Sequence, residues 1–102
     1  MSWHRIADVA QCPPGSSLEA VVGERIVALF NVEGEFFALD GICPHQGGPL
    51  GEGEIVGCVV TCPWHGWQFN VQTGQHQLSR SVVQPRFEAK IEEGSVWVDV
   101  PD

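Results

Sequence analysis

The chain has 102 residues, and its 13 acidic and 5 basic side chains give a formal net charge of -8. This length predicts one domain over residues 1–102, and the negative charge argues against nucleic acid and anionic membranes, which both attract positive charge. There is neither an apolar run of about 20 residues that could cross a membrane nor a signal segment behind Met1, so we expect a soluble cytoplasmic protein.

Short strands separated by Gly and Pro turns predict an all-β fold, because no apolar pattern of helical period is sustained. In chain order, the expected strands cover residues 3–7, 18–22, 25–32, 35–39, 55–61, 67–71, 87–91 and 96–100. The dipeptides Glu33-Gly34 and Glu93-Gly94 are expected to turn two hairpins. No linker, repeat or low-complexity run indicates a domain boundary.

Two cysteine–histidine motifs lie between these strands. Cys43 and His45 form C-x-H, Cys62 and His65 form C-x-x-H, and sixteen residues separate His45 from Cys62. Each motif is framed by proline and glycine, so loops over about 41–50 and 61–67 can each offer two side chains and several backbone N–H groups to one point. Two thiolates and two imidazoles can together bind a metal centre.

The segments Cys43-Pro44-His45-Gln46-Gly47-Gly48-Pro49 and Cys62-Pro63-Trp64-His65-Gly66-Trp67 resemble the cluster loops of the Rieske iron–sulfur family. The resemblance implies one 2Fe-2S cluster, with Cys43 and Cys62 on one iron and His45 and His65 on the other. It also implies stacked antiparallel sheets with a small cluster-binding subdomain formed by the two loops.

Several residues beside these ligands are expected to shape the site. Gly47, Gly48 and Gly66 would let backbone N–H groups approach the inorganic sulfides closely, and Trp64 and Trp67 could screen the cluster from water. For Trp67, a place in the core is an equally good interpretation.

Two kinds of group that are missing from the loops, a disulfide and cluster-directed hydroxyls, predict the reduction potential. High-potential members of this family carry a further Cys in each loop, paired as a disulfide, and hydroxyl groups that hydrogen-bond the cluster. The matching positions here hold Gly48 and Trp64, and then Trp67 and Phe69. We therefore expect a value in the lower part of the range of roughly -150 to +300 mV for such centres.

A structural zinc module is a distant alternative, because zinc also accepts two Cys and two His. The spacing argues against it. Structural zinc loops usually begin C-x2-4-C, whereas a single residue separates Cys43 from His45.

The resemblance to Rieske ferredoxins implies a one-electron carrier that is not itself an enzyme. Its partners would be an NAD(P)H-dependent flavoprotein reductase and a terminal oxygenase. An oxygenase would itself need a mononuclear iron held by two His and a carboxylate, and only His76 follows His65. The small Rieske-like subunit of an assimilatory nitrite reductase, similar in size and in Gly48-Pro49-Leu50, is the alternative.

The other cysteines and histidines match no motif. We interpret Cys58 as a small apolar residue on the strand 55–61 and Cys12 as part of a turn, without a disulfide between them. His4 and His76 are expected at the solvated surface.

Overall fold

The computed structural model describes residues 2–43, 47–64 and 66–101, which form antiparallel sheets. The strands are β1 Trp3–Asp8, β2 Ser17–Val22, β3 Arg25–Val32, β4 Glu35–Asp40, β5 Glu54–Val56, β6 Val59–Thr61, β7 Gln68–Asn70, β8 Arg86–Phe87, β9 Ala89–Glu92 and β10 Ser95–Asp99. Two 3-10 turns, Val9–Gln11 and Leu50–Glu52, accompany them. The all-β prediction is therefore confirmed. No helix among these residues is long and apolar enough to cross a membrane.

Strand β3 explains the layering, because it is apolar on both of its faces. Val27 and Leu29 lie in one core with residues of β10, whereas Ala28 and Phe30 lie in a second core with residues of β6 and β7. A strand that is covered on both sides typically has a continuous apolar sequence, as β3 does. The sheet β2-β3-β4-β8 is thus the middle layer between the sheets β1-β10-β9 and β5-β6-β7.

Two of the expected strands are each divided in the structure. The segment 55–61 forms the hairpin β5–β6, because Gly57 adopts a φ of 60° and reverses the chain. Cys58 therefore lies in a turn, and its prediction on a strand was wrong. The segment 87–91 is divided at Glu88, where the chain passes from β8 in the middle sheet to β9 in an outer sheet.

The small sheet is inserted between two strands that are neighbours in space. β4 and β8 pair in the middle sheet, with Leu39 opposite Arg86. Just beyond this pair, the Asp40 N–H donates to the Pro85 carbonyl over 2.8 Å. The small sheet therefore belongs to an insertion whose two ends meet beside β4 and β8.

Candidate metal centre

The first cysteine loop is closed by backbone hydrogen bonds on both sides of Cys43. The Cys43 N–H donates to the Gly48 carbonyl, and the Gly47 N–H donates to the Cys43 carbonyl, each over 2.8 Å. Gly47 has a φ of 77°, a left-handed conformation that glycine adopts without a steric penalty. The loop therefore turns back sharply beside its cysteine.

The second loop connects β6 to β7 and is closed in the same way. The Cys62 N–H donates to the Trp67 carbonyl over 2.7 Å, so Cys62 lies at the point where the β6–β7 pairing ends and the loop begins. Gly66 has a φ of 74° and again supplies the left-handed residue that the turn needs.

The two loops meet at their cysteines. Cys43 and Cys62 are each only 1% exposed and belong to the same core as Phe30 and Phe69. Burial raises the pKa of the Cys62 thiol, a backbone hydrogen bond at Trp64 opposes this, and the neighbouring Cys43 thiol raises the pKa further. Two adjacent, buried thiols do not both ionise unless a cation replaces their protons, so this pair fits a metal–sulfur centre.

The predicted histidine ligands, His45 and His65, lie outside the described residues. Of the four proposed ligands, the structure thus brings Cys43 and Cys62 together. Gly48 lies directly against this pair, while the Trp64 side chain is half exposed beside it. The Trp67 ring is half buried, 6.4 Å from the Phe69 ring, so it packs against the core next to the second loop.

A third loop, which covers residues 74–85, was missed as part of this end of the molecule. It contains His76, whose predicted place at the surface was wrong. The His76 ring is buried, its centroid lies 4.6 Å from that of Trp67, and its Nδ1 accepts hydrogen bonds from the N–H groups of Leu78 and Ser79. Those backbone donors and aromatic neighbours explain why the imidazole is inside.

The fold and the buried cysteine pair together define a class of small β proteins that hold a metal–sulfur centre between loops at one end of stacked sheets. The chain belongs to the Rieske [2Fe-2S] domain family, whose sequence profile matches residues 2–90. Its cofactor is one 2Fe-2S cluster.

Known relatives include ferredoxin components. Ferredoxin CarAc of Metapseudomonas resinovorans is 34% identical over 98 residues, which cover 94% of this chain and 92% of that protein. The ferredoxin component of the alkene monooxygenase system of Xanthobacter autotrophicus is 44% identical over 78 residues, 76% of this chain and 64% of that protein. The described fold also superimposes on a chain from a complex of reduced oxygenase and oxidized ferredoxin in carbazole 1,9a-dioxygenase. The TM-score is 0.85 at 33% identity, covering 94% of this chain and 91% of the other.

The family domain also occurs in much longer proteins. Cholesterol 7-desaturase nvd of Xenopus laevis is 36% identical over 75 residues, but this chain spans only 16% of its length.

Proposed function

We propose that this chain is a soluble, cytoplasmic one-electron carrier that takes an electron from an NAD(P)H-dependent flavoprotein reductase and delivers it to a terminal oxygenase. In this proposal Cys43 and Cys62 bind one iron of the cluster and His45 and His65 bind the other. The bound cluster supplies one reversibly held electron. The observation that carries the proposal is the meeting of two buried cysteines between loops at one end of the sheets.

Each of the three loops carries exposed apolar side chains, and we propose that four of them act together as a docking surface, which we call the apolar rim. Its members are Ile42, Trp64, Leu78 and Val83, which are 40%, 50%, 92% and 56% exposed. Along the loop segments 41–50, 61–67 and 74–85, the sequence contains one charged residue, Arg80. A weakly charged rim is desolvated easily, which suits the small, transient interfaces of redox partners.

The acidic surplus of the chain lies outside these loop segments. Contact at the apolar rim would therefore depend mainly on apolar burial, and a basic flank of the partner would act at longer range.

In this proposal, substrate chemistry belongs to the oxygenase partner and not to this chain. The open cleft of about 580 Å³ is lined by residues such as His4, Arg25 and Asp40, and neither cysteine lines it. Because two cores share one middle sheet, we also propose that residues 1–102 are a single Rieske domain.

The test begins with the purified protein as isolated. We expect a reddish-brown protein with two irons and two inorganic sulfides per chain and a rhombic electron-paramagnetic resonance (EPR) signal after reduction. His65→Cys should lower its potential, because a third thiolate adds negative charge at the cluster. A colourless protein that contains zinc, or a His65→Cys variant with an unchanged potential, would contradict the ligand assignment.

The partners are tested by reconstitution with NAD(P)H, candidate flavoprotein reductases and terminal oxygenases. Turnover that requires this chain would support the proposal. Failure with every such pair, together with tight binding to a sirohaem-containing nitrite reductase, would favour the role of a nitrite reductase small subunit.

A further inference from the structure

Gln84 is a buried amide that joins the third loop to the start of the first cysteine loop. Its side chain is 3% exposed. Its Nε2 donates to the Asp40 carbonyl over 2.7 Å and to the Ile42 carbonyl over 2.6 Å. The two protons of a primary amide can serve these two acceptors, so Gln84 satisfies both carbonyls at once.

The second of these hydrogen bonds reaches Cys43 through one peptide group. The Ile42 carbonyl and the Cys43 N–H belong to the same planar peptide group. Hydrogen bonds to both of these atoms therefore fix the orientation of the peptide that leads into Cys43. The carbonyl accepts from Gln84 over 2.6 Å, and the N–H donates to the Gly48 carbonyl over 2.8 Å. The peptide that precedes the cysteine is therefore held from both sides.

Gln84 is itself fixed by its backbone. Its N–H donates to the Gly74 carbonyl over 2.7 Å, and the next residue, Pro85, accepts from the Asp40 N–H. Gly74 has a φ of 81°, and a Cβ built on it would lie 2.2 Å from the Gln84 carbonyl oxygen. A side chain at position 74 would therefore displace Gln84 from its two acceptors.

We propose that Gln84 is a positioning residue that sets the orientation of Cys43 toward the cluster. This inference rests on the proposed ligation of iron by Cys43. Without the amide, the Asp40 and Ile42 carbonyls lose this donor and the peptide before Cys43 is released on one side. Groups that orient ligands tune both the affinity for the metal and its potential, so the effect should be visible in the spectrum of the cluster.

The first test compares Gln84→Met with Gln75→Met in the cluster-loaded protein. Gln75 is the matched control, because its Nε2 donates to the carbonyls of Ser79 and Val82 within the third loop. Gln84→Met should shift the EPR g-values and the midpoint potential, and should speed cluster loss to a chelator by about tenfold. Gln75→Met should leave the g-values and the potential unchanged. Equal shifts in the two variants, or none in Gln84→Met, would overturn the proposal.

A second pair of variants removes the same contact without changing Gln84. Gly74→Ala should reproduce the spectral shift of Gln84→Met. The control Gly94→Ala has a similar φ of 78°, but its added methyl group meets nothing within 4 Å. If Gly94→Ala shifts the cluster spectrum as much as Gly74→Ala does, the effect is general strain and the proposal fails.

A measurement on the unaltered protein applies even if these variants do not accumulate. In the oxidised, cluster-loaded protein, the side-chain amide protons of Gln84 should exchange with solvent far more slowly than those of the exposed Gln72. Equally fast exchange would overturn the proposal. A protein without any mixed-ligand cluster signal would instead overturn the proposed function, whereas slow exchange at Gln84 would still establish the contact.

Discussion

Gly48 lies directly against the sulfur of Cys62. A Cβ built on Gly48 would stand 2.7 Å from Cys62 Sγ and 2.9 Å from Trp64 Cβ, closer than such atoms approach in folded proteins. Positions 48 and 64 are those at which high-potential members of the family carry their disulfide, whose Cβ atoms lie about 3.5 to 4.5 Å apart. Here a glycine lets the two loops pack together without a covalent link.

Gly48→Ala should therefore impair the cluster. The added methyl group must push away either the Cys62 sulfur or the Trp64 side chain, and we expect cluster occupancy to fall by at least half, measured as iron and sulfide per chain. Gly57→Ala is the control, because position 57 has a φ of 60° but open space around it. Full occupancy in Gly48→Ala would mean that the loops rearrange freely when the cluster binds.

The midpoint potential should lie in the lower part of the range for Rieske centres, from roughly -150 mV to about zero. The positions that carry cluster-directed hydroxyl groups in high-potential members are occupied by Trp67, half buried, and Phe69, fully buried. Protein-film voltammetry should place the wild type there, and Trp67→Ser should raise its potential. A wild-type value well above zero would contradict the interpretation of these two positions.

Leu78→Ser should weaken electron transfer to the proposed oxygenase partner. Leu78 is almost fully exposed in the apolar rim. The serine variant would bury less apolar surface at the interface, and a loss of about 1 kcal/mol of binding free energy would lower kcat/KM for the carrier by about fivefold. The potential should not change. The control is Ile91→Ser. Ile91 is an exposed apolar residue of β9 at the opposite end, beside Gly34 of the β3–β4 turn and Glu35 at the start of β4. Equal losses in both variants would show that the rim is not the docking surface.

Stability should fall as the pH rises through 9, with Cys12 as one cause. Burial raises the pKa of this thiol above its ordinary value of 9.0, although hydrogen bonds involving Ser16 and Asn31 oppose the shift. The thiol keeps its proton to a higher pH in the folded state than in the unfolded state. Its contribution to the free energy of unfolding is therefore complete below about pH 9 and is lost as the pH rises through the folded-state pKa. Urea titrations from pH 8 to pH 10.5 should therefore give a flatter pH dependence for Cys12→Ala. Parallel curves for the two proteins would contradict this cause.

Much of the fold could be predicted because strand patterns and turn residues are local. The run from Arg25 to Val32 predicted β3 correctly, and its apolar residues on both faces are those of a middle layer. The division at Glu88 could not be predicted, because the chain passes there from the middle sheet to an outer sheet and no local pattern marks that change. The division at Gly57 had a local signal, since a glycine inside an apolar run can adopt the left-handed conformation that turns a hairpin.

The candidate metal centre could also be predicted only in part. The resemblance of the two glycine-framed motifs to Rieske cluster loops predicted that Cys43 and Cys62 would come together. The burial of His76 could not be found from the sequence, because it depends on the Trp67 and Phe69 rings that the fold packs against it. Gln84 could not be found either, because its acceptors are distant along the chain. Gln84 contacts carbonyls 44 and 42 residues away. A polar residue between Val83 and Pro85 carries no local signal of such acceptors.

The return of the chain from Asp40 to Pro85 has a consequence for how the molecule could be divided. Since these residues are hydrogen-bonded neighbours, the backbone enters and leaves the intervening segment at one place. The segment is also packed on the middle sheet elsewhere, because the Gly53 carbonyl accepts from the Ser17 hydroxyl of β2 over 3.0 Å and Phe30 and Phe69 share one core. Excising it would therefore leave one apolar face of the middle sheet open to water, and any other scaffold that accepted this redox module would have to supply a matching apolar face.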